Sequence, residues 1–254
     1  PLDHMGHSRI TDAGWDIGAH EASTILYRSV GEGSTAALQT GAGNDLTISN
    51  SVVSFASSIA NNIGVGDAIE FDRGGTGTVN DIAFIAERID SQNYTIQTSD
   101  GFNVDDMATP DQDWSIFRAY TSLDNADNVS ENTGIDAAVI GFDVAARRDL
   151  YSSNTSMYLS LYADAAAAGW TPNSWISEGT NKLKLFAPSE LSQVGVTQRH
   201  QGVWDDTKSR IVDSDYFANI SLGLADVGNI KAFEVDGIQL NNTLTGAGSG
   251  RGIW

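Results

Sequence analysis

The strongest candidate for chemistry in this sequence is a charged cluster between positions 205 and 210. Asp205 and Asp206 are adjacent, and Lys208 and Arg210 follow at intervals of two residues. Paired carboxylates with nearby bases are what glycosidases and polysaccharide lyases use as general acids and bases. The same residues fit a loop that enters a strand, in which aspartate side chains cap free backbone N–H groups. The sequence favours the loop interpretation over the catalytic one. If the cluster is catalytic, the candidate residues are Asp205, Asp206 and Lys208.

Three tryptophans, Trp170, Trp175 and Trp204, lie in polar loop segments. The apolar face of an indole ring can stack on a sugar ring while its N–H group stays hydrogen bonded. These three residues are therefore the candidates for binding a polysaccharide. The alternative is that their rings plug the end or the side of a packed core.

A metal site has one weak candidate, Asp45. Residues 40–46 resemble one turn of a calcium-binding nonapeptide repeat, but that repeat shares each ion between stacked turns. A single copy supplies too few oxygen ligands, so a hairpin turn is favoured, with Ca²⁺ as the alternative and no other cofactor expected. Residues 73–78 are rich in glycine but lack the Lys-Ser/Thr that follows in a phosphate-binding loop, and we expect a flexible loop there.

Composition restricts the classes of partner. Lys and Arg number 14 against 33 Asp and Glu, a net charge of −19 that would repel a phosphate backbone and argues against nucleic acid. The chain has no cysteine, which removes disulfides, thiolate nucleophiles and cysteine-based zinc sites. No apolar run approaches the ~20 residues of a membrane helix, so no membrane insertion is expected. The sequence does not begin with Met, which suggests a mature product or a piece of a longer protein.

The elements that would position these residues are short strands. Between residues 24 and 120, apolar and polar residues alternate in about seven segments separated by glycine turns, which predicts a small antiparallel barrel or sandwich. Residues 121–168 differ, and we expect short helical or irregular segments at 123–129 and 135–149 that cover the end of a neighbouring unit.

Further strands are predicted near 157–162, 183–186, 210–213, 219–224 and 230–240. Strands this short cannot each build a core, but stacked as rungs they form continuous apolar columns. The inward positions that we expect in the last segments are Phe233, Val235, Ile238 and Leu240.

Two stretches of this part, GVTQRHQGVWDDTKSRI at 195–211 and VDGIQL at 235–240, resemble the first coils of right-handed parallel β-helix repeat proteins. These are fibre, adhesin or surface proteins of environmental bacteria and phages. The DIGAHE motif at 16–21 is similar to an element that closes the last coil of such a β-helix. Residues 27–123, with YRSVG, IGVGDAIEFD, AFIAERIDSQNYTIQT and FRAYTSL, resemble a small β-domain that can precede one.

The resemblance implies an all-β fold in three parts: a closing element at 1–23, a small barrel or sandwich at 24–120, and a capped start of a β-helix at 121–254. It implies a non-enzymatic structural or adhesive component of an extracellular, cell-surface or virion-associated fibre. The partners would be other copies of the chain, neighbouring segments of a longer chain, or a polysaccharide. The alternative is a carbohydrate-active β-helix enzyme whose site further coils complete.

Overall fold

The computed structural model describes residues 23–173, 175–213, 218–221, 229–243 and 251–253. The described part is nearly all β, as the alternation predicted, with a five-residue α-helix and a four-residue 3₁₀ helix. The predicted closing element at 16–21 lies outside the described residues. The strands are β1 (Thr24–Gly31), β2 (Gln39–Thr40), β3 (Leu46–Ser49), β4 (Val52–Phe55), β5 (Ala68–Phe71), β6 (Asp81–Arg88), β7 (Asn93–Gln97), β8 (Ser115–Phe117), β9 (Thr155–Tyr162), β10 (Leu183–Phe186), β11 (Arg210–Asp213), β12 (Ala218–Ile220), β13 (Phe233–Asp236), β14 (Gln239–Asn242) and β15 (Arg251–Ile253).

Four strands from distant parts of the chain form one parallel sheet, in the order β1-β9-β10-β13. In its register, Leu26 lies beside Met157, Met157 beside Leu183, and Leu183 beside Phe233. Residues at paired positions project to the same face, so these four side chains form one column in the apolar core. The predicted inward positions are confirmed as core contacts for Phe233, Val235, Ile238 and Leu240.

Two further parallel ladders accompany this sheet. Strand β11 pairs with β14, and β12 pairs with β15. Each ladder is extended by one bridge, from Ala167 to Ile211 and from Trp170 to Ile220. Three successive passages of the chain thus reach the same three ladders. The first passage supplies β9, Ala167 and Trp170, the second supplies β10, β11 and β12, and the third supplies β13, β14 and β15.

The remaining strands form an antiparallel sheet of seven, in the order β2-β8-β5-β6-β7-β4-β3. Leu46 in the outermost strand β3 exchanges two backbone hydrogen bonds with Asp111, of 2.7 and 2.9 Å. Asp111 lies four residues before β8, which is next to the other edge of the sheet. These bonds therefore join one edge of the sheet to the segment that leads into its opposite side. A second apolar cluster, which includes Phe55, Phe71 and Trp114, packs within this curved sheet.

The antiparallel sheet is inserted between two neighbouring strands of the parallel sheet. The chain leaves β1 at Gly31 and returns beside it, where Gly33 N donates to Thr121 O at 2.8 Å. We call residues 32–121 the inserted domain. The sequence analysis began the antiparallel part at residue 24, but β1 pairs in parallel with β9 along its whole length and therefore belongs to the parallel sheet. Alternation identifies a half-buried strand but not its partner.

After the inserted domain the chain turns through short helical segments, as predicted. The α-helix α1 spans Leu123–Asp127, and the Ser122 hydroxyl caps it by accepting a hydrogen bond from Asn125 N at 3.0 Å. The 3₁₀ helix spans Ala145–Arg148. Apolar side chains of the intervening loop, such as Phe142, join the core of the parallel sheet.

A buried ionic cluster fixes the inserted domain to the parallel sheet. Arg118 at the end of β8 binds Asp67 and Asp164, both at 2.8 Å, and its guanidinium lies 3.5 Å from the centroid of the Tyr162 ring. The side chains of Arg118 and Asp67 are completely shielded from solvent. Burial raises the pKa of Asp67, while the charge of Arg118 opposes that rise. Removal of one partner would leave a buried charge uncompensated, which is strongly destabilising.

Candidate functional site on the outer face of the parallel sheet

The outer face of the parallel sheet carries a continuous group of aromatic and charged side chains. Tyr27 lies beside Tyr158, Tyr158 beside Lys184, and Lys184 beside Glu234. Each follows or precedes a core residue in its strand and therefore projects to the opposite face. The outer-face group, as we use the term, consists of Tyr27, Tyr158, Lys182, Lys184, Phe186, Arg199, Glu234 and Asp236. The sequence analysis missed this group.

The charges of the outer-face group are paired across strands β10 and β13. Glu234 accepts from Lys182 and from Lys184, both at 2.7 Å. Asp236 lies 2.8 Å from Arg199 and 3.8 Å from Lys184. All five charged side chains are partly exposed, so each pair contributes modestly to stability, but together they link two strands and the loop that carries Arg199.

The aromatic rings of the outer-face group continue this ladder toward β1. The rings of Tyr27 and Tyr158 meet edge to face at 5.6 Å between centroids, and those of Tyr158 and Phe186 do so at 6.3 Å. The ammonium groups of Lys182 and Lys184 lie 5.7 and 5.6 Å from the centroid of the Tyr158 ring. The lysines thus contact an aromatic face as well as a carboxylate, which adds a cation–π attraction to each pair.

Proton transfer requires a group whose pKa lies near the working pH. The hydrogen bond to Glu234 raises the pKa of Lys182, and the hydrogen bonds from Lys182 and Lys184 lower the pKa of Glu234. Both shifts favour the charged forms and move the two groups away from neutral pH. Burial likewise raises the pKa of Tyr27. The outer-face group is therefore better suited to holding neighbouring strands together than to acid–base catalysis.

The three catalytic candidates from the sequence take part in contacts of their own loop. Asp205 accepts from the backbone and hydroxyl of Thr207, at 2.8 and 2.7 Å, and these bonds lower its pKa. The indole N–H of Trp204 donates to Asp206 at 2.9 Å. Lys208 Nζ donates to the Thr197 carbonyl at 2.8 Å. Asp205 thus caps a backbone N–H group as the loop interpretation expects, whereas Asp206 and Lys208 bind an indole N–H group and a backbone carbonyl.

The structure separates the three tryptophans. Trp170 and Trp175 are only 1% and 2% exposed and belong to the core of the parallel sheet. The prediction that these two rings bind a sugar is wrong, because core side chains cover their faces. The alternative of a plug in the core describes them instead. Trp204 is 46% exposed and keeps a ring accessible to a ligand.

The metal candidate, Asp45, lies beside Gln112, whose side-chain amide donates to its carboxylate. Within the ranges that the structure describes, no three His, Cys, Asp or Glu side chains form a group that would hold a metal ion.

The glycine-rich loop at 73–78, for which the sequence predicted flexibility, closes around one buried carboxylate, Asp72. Asp72 accepts from Gly74 N at 2.9 Å, Gly77 N at 2.6 Å and the Asn80 side chain at 2.8 Å. A carboxylate satisfied by so many donors fixes the loop around itself. The sequence signal was Asp72, which stands two residues before the first of these glycines.

Neither a protein-family model, a curated protein nor a solved structure matches the chain. Among the described residues, no helix has the length and apolar character needed to cross a membrane.

Proposed function

We propose that this chain is a non-enzymatic structural or adhesive segment of an extracellular, cell-surface or virion-associated fibre, built on coils of a right-handed parallel β-helix. The three passages through the three parallel ladders would be its coils, and the inserted domain would branch from the first. The extracellular, cell-surface or virion location that we propose rests on the resemblance of residues 195–211 and 235–240 to β-helix repeat proteins.

The observation that carries the proposal is the strand-by-strand match of two passages. β10 pairs with β13, β11 with β14, and β12 with β15, each in parallel. Parallel neighbours that recur in the same order are what stacked coils produce, and such a stack propagates by nearest-neighbour contacts. A stack of this kind resists tension and presents a long surface, which suits a fibre.

The side chains favour a structural role over an enzymatic one. The charged members of the outer-face group are paired with each other, and Asp205, Asp206 and Lys208 are engaged in local loop contacts. An adhesive role would use exposed rings, and Trp204 is the tryptophan of the original three that offers one.

Association would use the outer edge of the third passage. In the part of the chain that the structure describes, β13, β14 and β15 each pair with one strand only. A strand edge of this kind is a template for a further parallel strand. The partner would be another copy of the chain or a neighbouring segment of a longer one, and residues 1–22 are the proposed covering segment.

Sedimentation velocity over a range of concentrations tests this association. The full chain is expected to form larger species as concentration rises, and deletion of residues 1–22 is expected to abolish them. The deletion retains Ser23, which bonds to Ser156 Oγ at 2.9 Å, and circular dichroism checks that the strands persist. A full chain that stays monomeric at all concentrations would refute the proposed self-association.

Incubation with pectin and alginate tests the enzymatic alternative. We expect neither unsaturated products nor new reducing ends. Turnover by the wild type that disappears in Asp206→Ala, with Asp100→Ala unaffected, would replace the structural proposal by an enzymatic one.

A further inference from the structure

The edge of β1 that faces away from β9 is covered by the inserted domain. At its beginning, the side-chain amide of Gln97 has one polar atom 3.1 Å from Ile25 O and the other 2.9 Å from Tyr27 N. We assign the nitrogen to the carbonyl and the oxygen to the N–H group, because the opposite orientation would set acceptor against acceptor and donor against donor. The carbonyl of Tyr27 accepts from the guanidinium of Arg28 at 2.8 Å. One side chain of β7 thus imitates the backbone of a neighbouring strand.

The second half of the same edge is covered by backbone groups. Ser29 N donates to Gly66 O at 2.8 Å, and Tyr120 N donates to Ser29 O at 3.0 Å. Gly31 N then donates to Tyr120 O at 3.0 Å. From the carbonyl of residue 25 to the amide of residue 31, six consecutive outward backbone groups have partners.

Covering is needed because β1 has little other protection. It is eight residues long, and its outer-face side chains Ile25, Tyr27 and Ser29 carry no charge. Its charged residue, Arg28, is buried and paired with Asp143. A long strand rich in β-branched and aromatic residues, without Pro or an exposed charge, invites pairing with another copy of itself.

The strand at the other side of the sheet is protected differently. β13 has four residues, and its outer-face side chains are Glu234 and Asp236. Two copies that met along β13 would bring these carboxylates together, so self-pairing there is opposed by like charges. Short length and charge thus disfavour pairing of β13 with a second β13 but leave its edge open to a strand of different sequence, whereas β1 depends on cover.

We propose that the inserted domain is an edge cap, which prevents a second copy of this chain from pairing with β1. The stack would then accept a new strand beyond β13 and not before β1, so assembly would have one direction. The direction rests on the proposed function, whereas the cap itself does not.

Amide exchange of the full chain carrying Gln97→Ala tests the cap. The Tyr27 amide is expected to exchange about tenfold faster at low protein concentration, as follows from the loss of one hydrogen bond. At high concentration the same amide should become protected again, because a second copy pairs with the opened edge. Gln92→Ala is the matched control, since the Gln92 side chain also bonds to two backbone groups, but these are the carbonyls of Phe55 and Ala56 within the inserted domain.

Two further variants keep the result interpretable. Gln97→Asn shortens the amide with little change in polarity and should reproduce the effect if Gln97→Ala fails to fold. Adding Ile25→Lys places a charge on the opened edge and should abolish the concentration dependence without slowing exchange at low concentration.

Exchange at Tyr27 that is independent of concentration in both Gln97 variants overturns the cap. The proposed self-association of the wild type is measured at different amides, those of β13, which it would protect at high concentration. The cap and the proposed function can therefore fail independently.

Discussion

The guanidinium of Arg28 and the carboxylate of Asp143 form two hydrogen bonds of 2.8 Å although 115 residues separate them. Both side chains are at most 1% exposed. The hydroxyl of Tyr120 donates to the same carboxylate at 2.5 Å, and the guanidinium lies 3.7 Å from the centroid of the Phe84 ring. This pair ties β1 to the loop before the 3₁₀ helix and to the inserted domain.

Asp143→Ala is therefore expected to lower the free energy of unfolding by about 3–5 kcal/mol, because the charge of Arg28 would be left buried without its partner. Urea denaturation followed by tryptophan fluorescence measures the loss. Asp100→Ala is the control, since Asp100 pairs with Arg147 at 2.8 Å but is 59% exposed. The control should lose at most about 1 kcal/mol. Equal losses in the two variants would contradict the role assigned to the buried pair.

The lowered pKa of Asp72 predicts how the stability of the fold changes in acid. Burial opposes ionisation of Asp72, but hydrogen bonds led by that from Gly74 N outweigh it and lower its pKa from 3.8 to about 2. Between these two values the unfolded chain binds more protons than the folded one. The stabilisation by ionised Asp72 is thus present above pH 3.8 and is lost as the pH falls through about 2.

Asp72→Asn should remove this part of the acid dependence, so that its urea midpoint changes less between pH 5 and pH 2, an interval of about three units that spans the titration. Asp113→Asn, which alters an exposed carboxylate close to Gly77 of the same loop, should keep the wild-type slope. The same slope in Asp72→Asn as in the wild type would show that the loop is not held by the ionised carboxylate.

The sequence predicted individual strands well, since glycine turns and alternation are local signals. The strands at Leu183–Phe186 and Arg210–Asp213 have the predicted bounds, and the short helices after residue 121 are found where expected. Partners of strands were less predictable. β1 follows the same alternation as the antiparallel strands, yet its partner β9 lies beyond the whole inserted domain. No local pattern encodes a pairing at such separation.

In the candidate site too, local features were predictable from the sequence and the pairing of distant strands was not. Lys184 and Glu234 form an ion pair only because β10 and β13 are neighbours in register, and that register is a tertiary property. Alternation within LKLF and FEVD does place both residues opposite the core. Comparing the outward residues of LKLF with those of FEVD would therefore have suggested the ion pairs of the outer-face group. The tryptophans were harder, because a loop segment of polar residues gives no sign of a buried ring.

Trp170→Ala should destabilise the chain by about 3–5 kcal/mol, because a large ring leaves a cavity in the core. Trp204→Ala should change the free energy of unfolding by at most about 0.5 kcal/mol, since nearly half of that side chain faces solvent. Thermal or urea unfolding compares the two. A large loss in Trp204→Ala, or none in Trp170→Ala, would contradict the placement of these rings.

The Lys184–Glu234 pair tests the outer-face ladder. Lys184→Glu places a carboxylate beside Glu234, and Glu234→Lys places an ammonium group between Lys182 and Lys184. Each variant should lose about 1 kcal/mol of stability, the range of cross-strand charge pairs. The double variant Lys184→Glu/Glu234→Lys should recover part of the loss, and 0.5 M NaCl should reduce all three effects by screening, as the Debye length falls to about 4 Å. Coupling in this double-mutant cycle measures the contact itself.

The matched cycle uses Glu178 and Lys231, which also pair at 2.8 Å but are about half exposed. Their coupling should be smaller, because water screens both groups and each must be held in one rotamer. If the Lys184 cycle shows no more coupling than the Glu178 cycle, the cross-strand ladder contributes nothing beyond an ordinary surface ion pair. The adhesion of successive passages would then depend on the apolar columns inside the stack alone.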